Sequence, residues 1–523
     1  MTASWLPAVA VGLPFAAVVP IYLSRTRPNL REAWTFLAGA GAFVAVAATV
    51  SPVLDGARLT AATGVSYLGV PLALSVDPFG ALFGLLAATL WPVTSLYSVG
   101  YVRRLDEHAQ TRYFAAFAAS VGSTLGVAFA ANLLTLFVFY ELLTVATYPL
   151  VVHEESAEAR DAAAKYVAYT LSGGAALLAG LVLLSVAAGS LSFVPGGLDG
   201  LATDPTLARA AFGLLIVGFG VKAAVVPVHG WLPSAMVAPT PVSGLLHAVA
   251  VVKSGAFGLG RVFMYLYGPD AVRELGVAAP VVGAAVLTML GGGVLALRAE
   301  SIKGALAYST VSQLSYIVLG FALAAPTAAF GALLHIPAHA FMKITLFFAA
   351  GAVSVETGAK SIRKLPGLAR RLPVTLAAFA VAAAGLAGFP PVAGFVSKWY
   401  LVLGALRSDL PLTAAAFLLA GTLKLLLFWP MVAAAFFEEP PRSIGRSGAS
   451  EAAADAASLP DGGAHGDVDA RGGRALDSLV AESSPALLVP VALAVAGALL
   501  LGLVPERLPF WDLARAVVAE VFA

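Results

Sequence analysis

The chain has 523 residues, of which 59% are hydrophobic and only 11% charged, a balance that soluble globular domains do not carry. Its net charge of +2 is too small to argue for nucleic acid or an acidic partner, and the absence of cysteine excludes disulfides, thiol nucleophiles and thiolate-held iron–sulfur clusters. The composition predicts an all-α polytopic membrane protein solvated by the lipid bilayer, with no cofactor, catalytic residue or redox centre of its own.

Apolar runs near the ~20 residues that cross a bilayer recur along the chain. They fall at 5–24, 33–52, 77–102, 113–130, 133–152, 162–191, 207–228, 241–267, 277–297, 302–324, 329–355, 373–406, 411–437 and 485–503, or about fourteen helices. The first lacks both a basic segment before its core and a small-residue cleavage pattern, so it reads as a retained helix. Residues 58–76, alternating and rich in Thr and Gly, predict an outer hairpin. Residues 438–484, rich in Gly, Ala, Asp and Ser, predict a flexible cytoplasmic loop whose His465, Asp467 and Asp469 read as solvated polar groups. Residues 509–523 form a short amphipathic tail.

Basic residues in short loops set orientation. Arg25, Arg27 and Arg31 follow the first span, Arg103, Arg104 and Arg112 the third, and Lys360, Arg363, Lys364, Arg370 and Arg371 the eleventh. These loops are expected in the cytoplasm and both termini outside the plasma or inner membrane. The loops at 192–206 and 268–275 are nearly free of Lys and Arg, which fits the alternation.

Six ionisable residues lie within or at a break in these apolar spans: Glu141, Lys222, Lys253, Lys343, Lys398 and Lys424. An ionisable group at bilayer depth costs about 2.5–3.5 kcal/mol even on the lenient insertion scale, so such groups mark ion or proton pathways or pair between helices. Two spans are also interrupted. Lys222 is followed by Pro227, His229 and Trp231, then Pro239 and Pro241; Gly388, Pro390, Pro391 and Gly394 precede Lys398. Proline frees a backbone carbonyl, tolerated at membrane depth where protein or water satisfies it. Paired broken helices point to an inverted repeat with its site at the repeat interface. The predicted organisation is 1–111 (three helices and the hairpin), 112–267 and 276–437 (two inverted five-helix repeats), 438–484 (loop) and 485–523 (last helix and tail). With the two repeats set against each other, Lys222 corresponds to Lys343, and the break near Pro239 to that near Pro390. His335 and His339 stand one helical turn apart, but Ile336 occupies the position where a hydrolytic zinc helix carries Glu, so no metal is assigned.

The run from Lys222 through Pro227, His229, Trp231 and Pro233 to Pro239, Pro241, His247 and Lys253 resembles the signature of the antiporter-like subunits shared by Mrp cation/proton antiporters, complex I and membrane-bound hydrogenases. Tyr140-Glu141-Leu142, the Lys303–Gln313 block, His335, His339 and Lys343, and Gly394 to Lys398 resemble the family's other blocks in the same order. Pro337 and Ser234 depart from its pattern. The resemblance implies that Glu141 and Lys222 form the charged pair of a first half-channel. Lys253 and His247 then begin a central hydrophilic axis, His335, His339 and Lys343 continue it, and Lys398 ends a second half-channel. Lys424 joins the candidate pathway with weaker motif support. Lys303 is either an interfacial anchor or an access-channel group, and Asp77 caps a helix. The implied function is proton translocation, with sodium exchange an open possibility, alongside other membrane subunits of a multisubunit Mrp-type antiporter. The compact length resembles that of the D-type Mrp component. A pumping subunit of a complex I-like or hydrogenase complex and a non-transporting scaffold remain the alternatives.

Overall fold

In the computed structural model, which describes residues 2–67, 69–439 and 482–523, the apolar runs form a helical bundle. It opens with α1 (Leu6–Leu23) and α2 (Pro28–Leu54), then α3 (Pro78–Arg104), α4 (Gln110–Ala128), α5 (Leu133–Val151), α6 (Ala157–Ala188) and α7 (Pro205–Lys222). After a single turn, α8 (Trp231–Ser234), come α9 (Thr240–Ala248), α10 (Val251–Arg261), the short α11 (Gly268–Glu274), α12 (Ala278–Leu297), α13 (Ile302–Ala322) and α14 (Pro326–Thr357). The remaining elements are α15 (Pro373–Ala387), α16 (Ala393–Arg407), α17 (Pro411–Phe437), α18 (Pro485–Leu503) and α19 (Pro509–Val521). Among the described residues, twelve helical segments are long and apolar enough to cross a membrane. Of the other predicted spans, α4 is diluted by polar residues and the 373–406 run is divided into two short helices.

Local chemistry fixes the helix ends. Asp77, Asn132, Ser156 and Ser301 each accept a hydrogen bond from a backbone N–H three residues on, satisfying an orphan donor of the first turn. Proline stands in the first turn of α2, α3, α7 and α14, where its missing N–H costs nothing. The 240–266 span is wholly buried and the most apolar 18-residue stretches of α13 and α14 are 94% and 89% buried, whereas those of α1, α6 and α18 are a third buried. The axis of the bundle is therefore α9–α10, α13 and α14, the elements that carry His247, Lys253, His335, His339 and Lys343.

The helical fold with one hairpin is as expected: β2 (Leu59–Tyr67) and β3 (Val70–Val76) form the hairpin, and β1 (Thr2–Ala3) adds to it in parallel, pairing Thr2 with Leu59. Two expectations need correction. The 207–228 run ends its helix at Lys222, because Pro227 cannot donate to a continuing ladder. The 241–267 run is not one helix. It breaks after Ala248, with the amides of Val249 and Ala250 both donating to the Leu245 carbonyl, and ends in a π-helical turn, Val262–Leu266. The 438–484 loop, with His465, Asp467 and Asp469, lies outside the described residues save for its ends.

Candidate functional site

The break after α7 is built from side chains that occupy the freed backbone. Trp231 donates its indole N–H to the Val221 carbonyl at 2.7 Å, and Thr288 accepts from the Val226 amide at 2.9 Å. Gly255 lets α10 run against this break: a Cβ there would stand 2.4 Å from the Ala223 nitrogen. The close backbone approach brings the α10 turn of Lys253 next to Lys222. The Lys222 ammonium donates to the Tyr140 carbonyl and lies 3.4 Å from the centre of the Tyr140 ring. The expected direct pair with Glu141 is not formed. Glu141 Oε1 is buried without a partner among the described residues, facing Gly174, because the lysine turns to the carbonyl and ring of the preceding residue.

In the centre, Lys253 Nζ and His339 Nδ1 are 2.5 Å apart, joining α10 to α14. His247 is fully buried near Phe347, with both ring nitrogens unpartnered among the described residues. His335 places Nδ1 2.8 Å from Ser397 Oγ and Nε2 2.9 Å from Gln313 Oε1, so both ring nitrogens are engaged. The Gln313 amide donates in turn to the Leu386 carbonyl at 3.0 Å, and Lys398 Nζ donates to that same carbonyl. Leu386 is the penultimate residue of α15. Pro390 and Pro391 stop the ladder there, leaving its carbonyl free for the two side chains.

Lys343 from α14 and Lys424 from α17 both reach serines of α13. Lys343 donates to Ser309 Oγ at 2.6 Å and to the Leu306 carbonyl at 3.2 Å, and Lys424 reaches Ser312 Oγ at 2.5 Å. Both are fully buried. Pro227, Pro390 and Pro391 all stand in breaks beside a lysine, whereas Pro239 and Pro241 lie at the start of α9, where they begin a helix rather than interrupt one. Pro337 lies inside the continuous α14. Ser234 accepts from Lys165 at 2.9 Å, so the position holds a hydroxyl bound to a lysine.

Two cavities lie around this file, and the second opens onto its Lys398. One of about 430 Å³ is lined by Tyr101, Glu154, Glu158, Lys303 and Lys360; Lys303 donates to the Ala238 carbonyl at 2.6 Å. Another of about 500 Å³ is lined by Gly388, Phe389, Lys398 and Thr422.

Sequence reasoning missed two parts. Gln313, Ser309 and Ser312 make the polar links from α13 but carry no charge to flag them. Arg261 forms a buried bidentate pair with Asp77, at 2.5 and 2.8 Å, across 184 residues of sequence. Asp77 also caps α3, as expected.

The profile described as "NADH:quinone oxidoreductase/Mrp antiporter, TM" matches residues 130–423, more than half of the chain and every charged candidate of the pathway except Lys424. The chain belongs to the NADH:quinone oxidoreductase/Mrp antiporter transmembrane family. Within this family it is 36% identical over 391 residues to the A/B component of a probable K(+)/H(+) antiporter of Rhizobium meliloti, covering 73% of this chain and 38% of that protein. It is 32% identical to the N component of NADH-quinone oxidoreductase from Desulforudis audaxviator, covering 72% and 74%. The chain spans about half or less of the length of the antiporter proteins it matches. The fold of a chain in the Mrp complex from Dietzia sp. DQ12-45-1b superimposes with a TM-score of 0.82 at 25% identity, covering 99% of this chain and 98% of that one. The antiporter-family fold and the multi-pass membrane placement expected from sequence are thus the observed ones.

Proposed function

We propose that the chain is a proton-translocating subunit of a multisubunit Mrp-type cation/proton antiporter, with sodium or potassium as the exchanged ion and other membrane subunits as partners. The observation that carries this reading is the hydrogen-bonded run Lys398, Leu386 carbonyl, Gln313 and His335, continued by the Lys253–His339 contact, through the most buried helices of the bundle. A scaffold that only held helices together would need no such succession of titratable groups, since apolar packing does that at lower desolvation cost. Burial disfavours the charged form of a lysine and an adjacent carboxylate favours it, so moving Lys222 toward or away from Glu141 loads or releases a proton. Histidines relay protons through either ring nitrogen. Glu141 to Lys222, Lys222 to Lys253 and His339 to His335 are steps without a direct hydrogen bond; water or a side-chain swing carries the proton there.

The cavity at Glu154, Glu158 and Lys303 serves as the cytoplasmic mouth, with the Arg103 and Lys360 loops on the same side and both termini outside. The like extent of the Dietzia chain supports a single antiporter module, and the D-type component is the finer assignment; the curated antiporter relatives carry A-type names. Lys222→Ala and Glu141→Ala, expressed with the partner subunits, are expected to abolish cation-driven proton movement in everted vesicles without loss of assembly. Unchanged transport in both variants removes these residues from the pathway. The match to the quinone-oxidoreductase N component over 74% of its length favours a second reading, a pumping module of a redox complex. Proteins retained in mild detergent separate the two: small antiporter subunits for the first, quinone-reductase or hydrogenase subunits for the second.

A further inference from the structure

The turn between α3 and α4 meets the turn between α5 and α6 at the end of the bundle that carries Arg103, Arg104 and Arg112. There His153 is fully buried, and neither of its ring nitrogens has a hydrogen-bond partner among the described residues. An imidazole left so forfeits the hydrogen bonds water would give it, at a cost of about 1–3 kcal/mol. Its neighbours are chosen types. Glu107 Oε2 lies 3.6 Å from His153 Nε2, and the His108 ring stacks on the His153 ring with centroids 4.9 Å apart. One ligand atom from each of the three residues lies within 4.8 Å of the other two. Arg112 does not neutralise the carboxylate: its guanidinium is taken up by Glu155, at 2.5 Å, and by the His153 carbonyl, at 3.3 Å.

We propose that Glu107, His108 and His153 bind a divalent transition-metal ion of the zinc type. Two imidazoles and one carboxylate, with solvent in a fourth position, are a set that zinc accepts. Its bonds of about 2.0–2.2 Å bring ligand atoms closer than they stand here. The closure falls to Glu107, half-buried, and His108, exposed, both on the accessible side of the cluster, while His153 is held between Tyr113 and His108. The bound ion ties the 105–109 turn to the 152–155 turn. The latter includes Glu154 of the large cavity, so the ion pins one wall of that mouth.

The test uses the full chain purified with its co-expressed partners, stripped with a chelator and titrated with zinc chloride. Metal content after gel filtration and isothermal titration are the readouts. One equivalent is expected, together with a higher thermal midpoint, since binding to the folded state alone stabilises it. His108→Ala and Glu107→Gln act on accessible side chains and avoid the buried His153. Each is expected to weaken binding at least about tenfold with an unchanged elution profile. His465→Ala controls for the loop beyond the described residues and is expected to change nothing. Equal affinity in wild type, His108→Ala and Glu107→Gln, no retained zinc in the wild type, or loss confined to His465→Ala would each overturn the site.

Discussion

The two halves of the buried file handle charge differently. In the first, Lys222 shares its surroundings with Glu141, the one carboxylate among the candidate site residues, and its ammonium rests on a carbonyl and an aromatic face. In the second, Lys343, Lys398 and Lys424 have no carboxylate partner among the described residues: they reach Ser309, Ser312 and the carbonyls of Leu306 and Leu386, and Lys398 also lies 4.9 Å from the centre of the Tyr316 ring. Neutral oxygens hydrogen-bond an amine in either protonation state, whereas a carboxylate rewards the ammonium. On the proposed reading, the first half traps a proton against a counter-charge and the second hands it along groups of similar kind. A charge buried without a carboxylate's help would be costly, which is why the second half leans on serines of a single helix, α13.

The largest expected effect comes from removing the asymmetry at its source. Glu141→Gln keeps the shape of the side chain and deletes the counter-charge. Transport in vesicles is expected to fall at least about a hundredfold, the lower range for losing a positioned proton-transfer group. If the variant transports normally, the two halves do not differ in the way described. Lys398→Glu makes the opposite change, planting a carboxylate where the second half has none. The expected loss is about tenfold, equivalent to ~1.4 kcal/mol on the limiting step, with the Lys424 ammonium as the new counter-charge. A loss as deep as that of Glu141→Gln would mean that the second half depends on a lysine at this position and not merely on a titratable group. Gln313→Leu tests the link itself. It strips His335 Nε2 of its partner and leaves the Leu386 carbonyl to Lys398 alone, so destabilisation of about 1–3 kcal/mol is expected in thermal unfolding, with transport reduced in parallel.

The charged members of both halves were legible because a lysine inside twenty apolar residues is its own signal, and Pro390 and Pro391 announce the α15–α16 break. The neutral members were not. Gln313, Ser309 and Ser312 are ordinary residues in a helix until the lysines and His335 arrive from α14, α16 and α17. The division of α9 from α10 was hidden for a similar reason: Val249 and Ala250 are neither proline nor glycine, and the helix yields there only in its packed surroundings. Asp77 and Arg261 show the same limit. Each was visible as a residue, but their bidentate pair is a product of tertiary approach, as is the meeting of Glu107, His108 and His153.

The smallest expected effect probes how tightly the first half is fitted. Gly174 on α6 faces Glu141, and a Cβ placed there would come within 2.6 Å of Glu141 Oε1. The obstacle is the far end of a side chain and not backbone, so Gly174→Ala is expected to fold and to cost about 1 kcal/mol or less in stability. The carboxylate must then move aside. If its distance from the Lys222 ammonium sets the rate, transport falls roughly two- to fivefold, and the same substitution in a Glu141→Gln background adds nothing further. A larger loss in Gly174→Ala, persisting in that background, would locate the effect in α5–α6 packing and leave the counter-charge out of it.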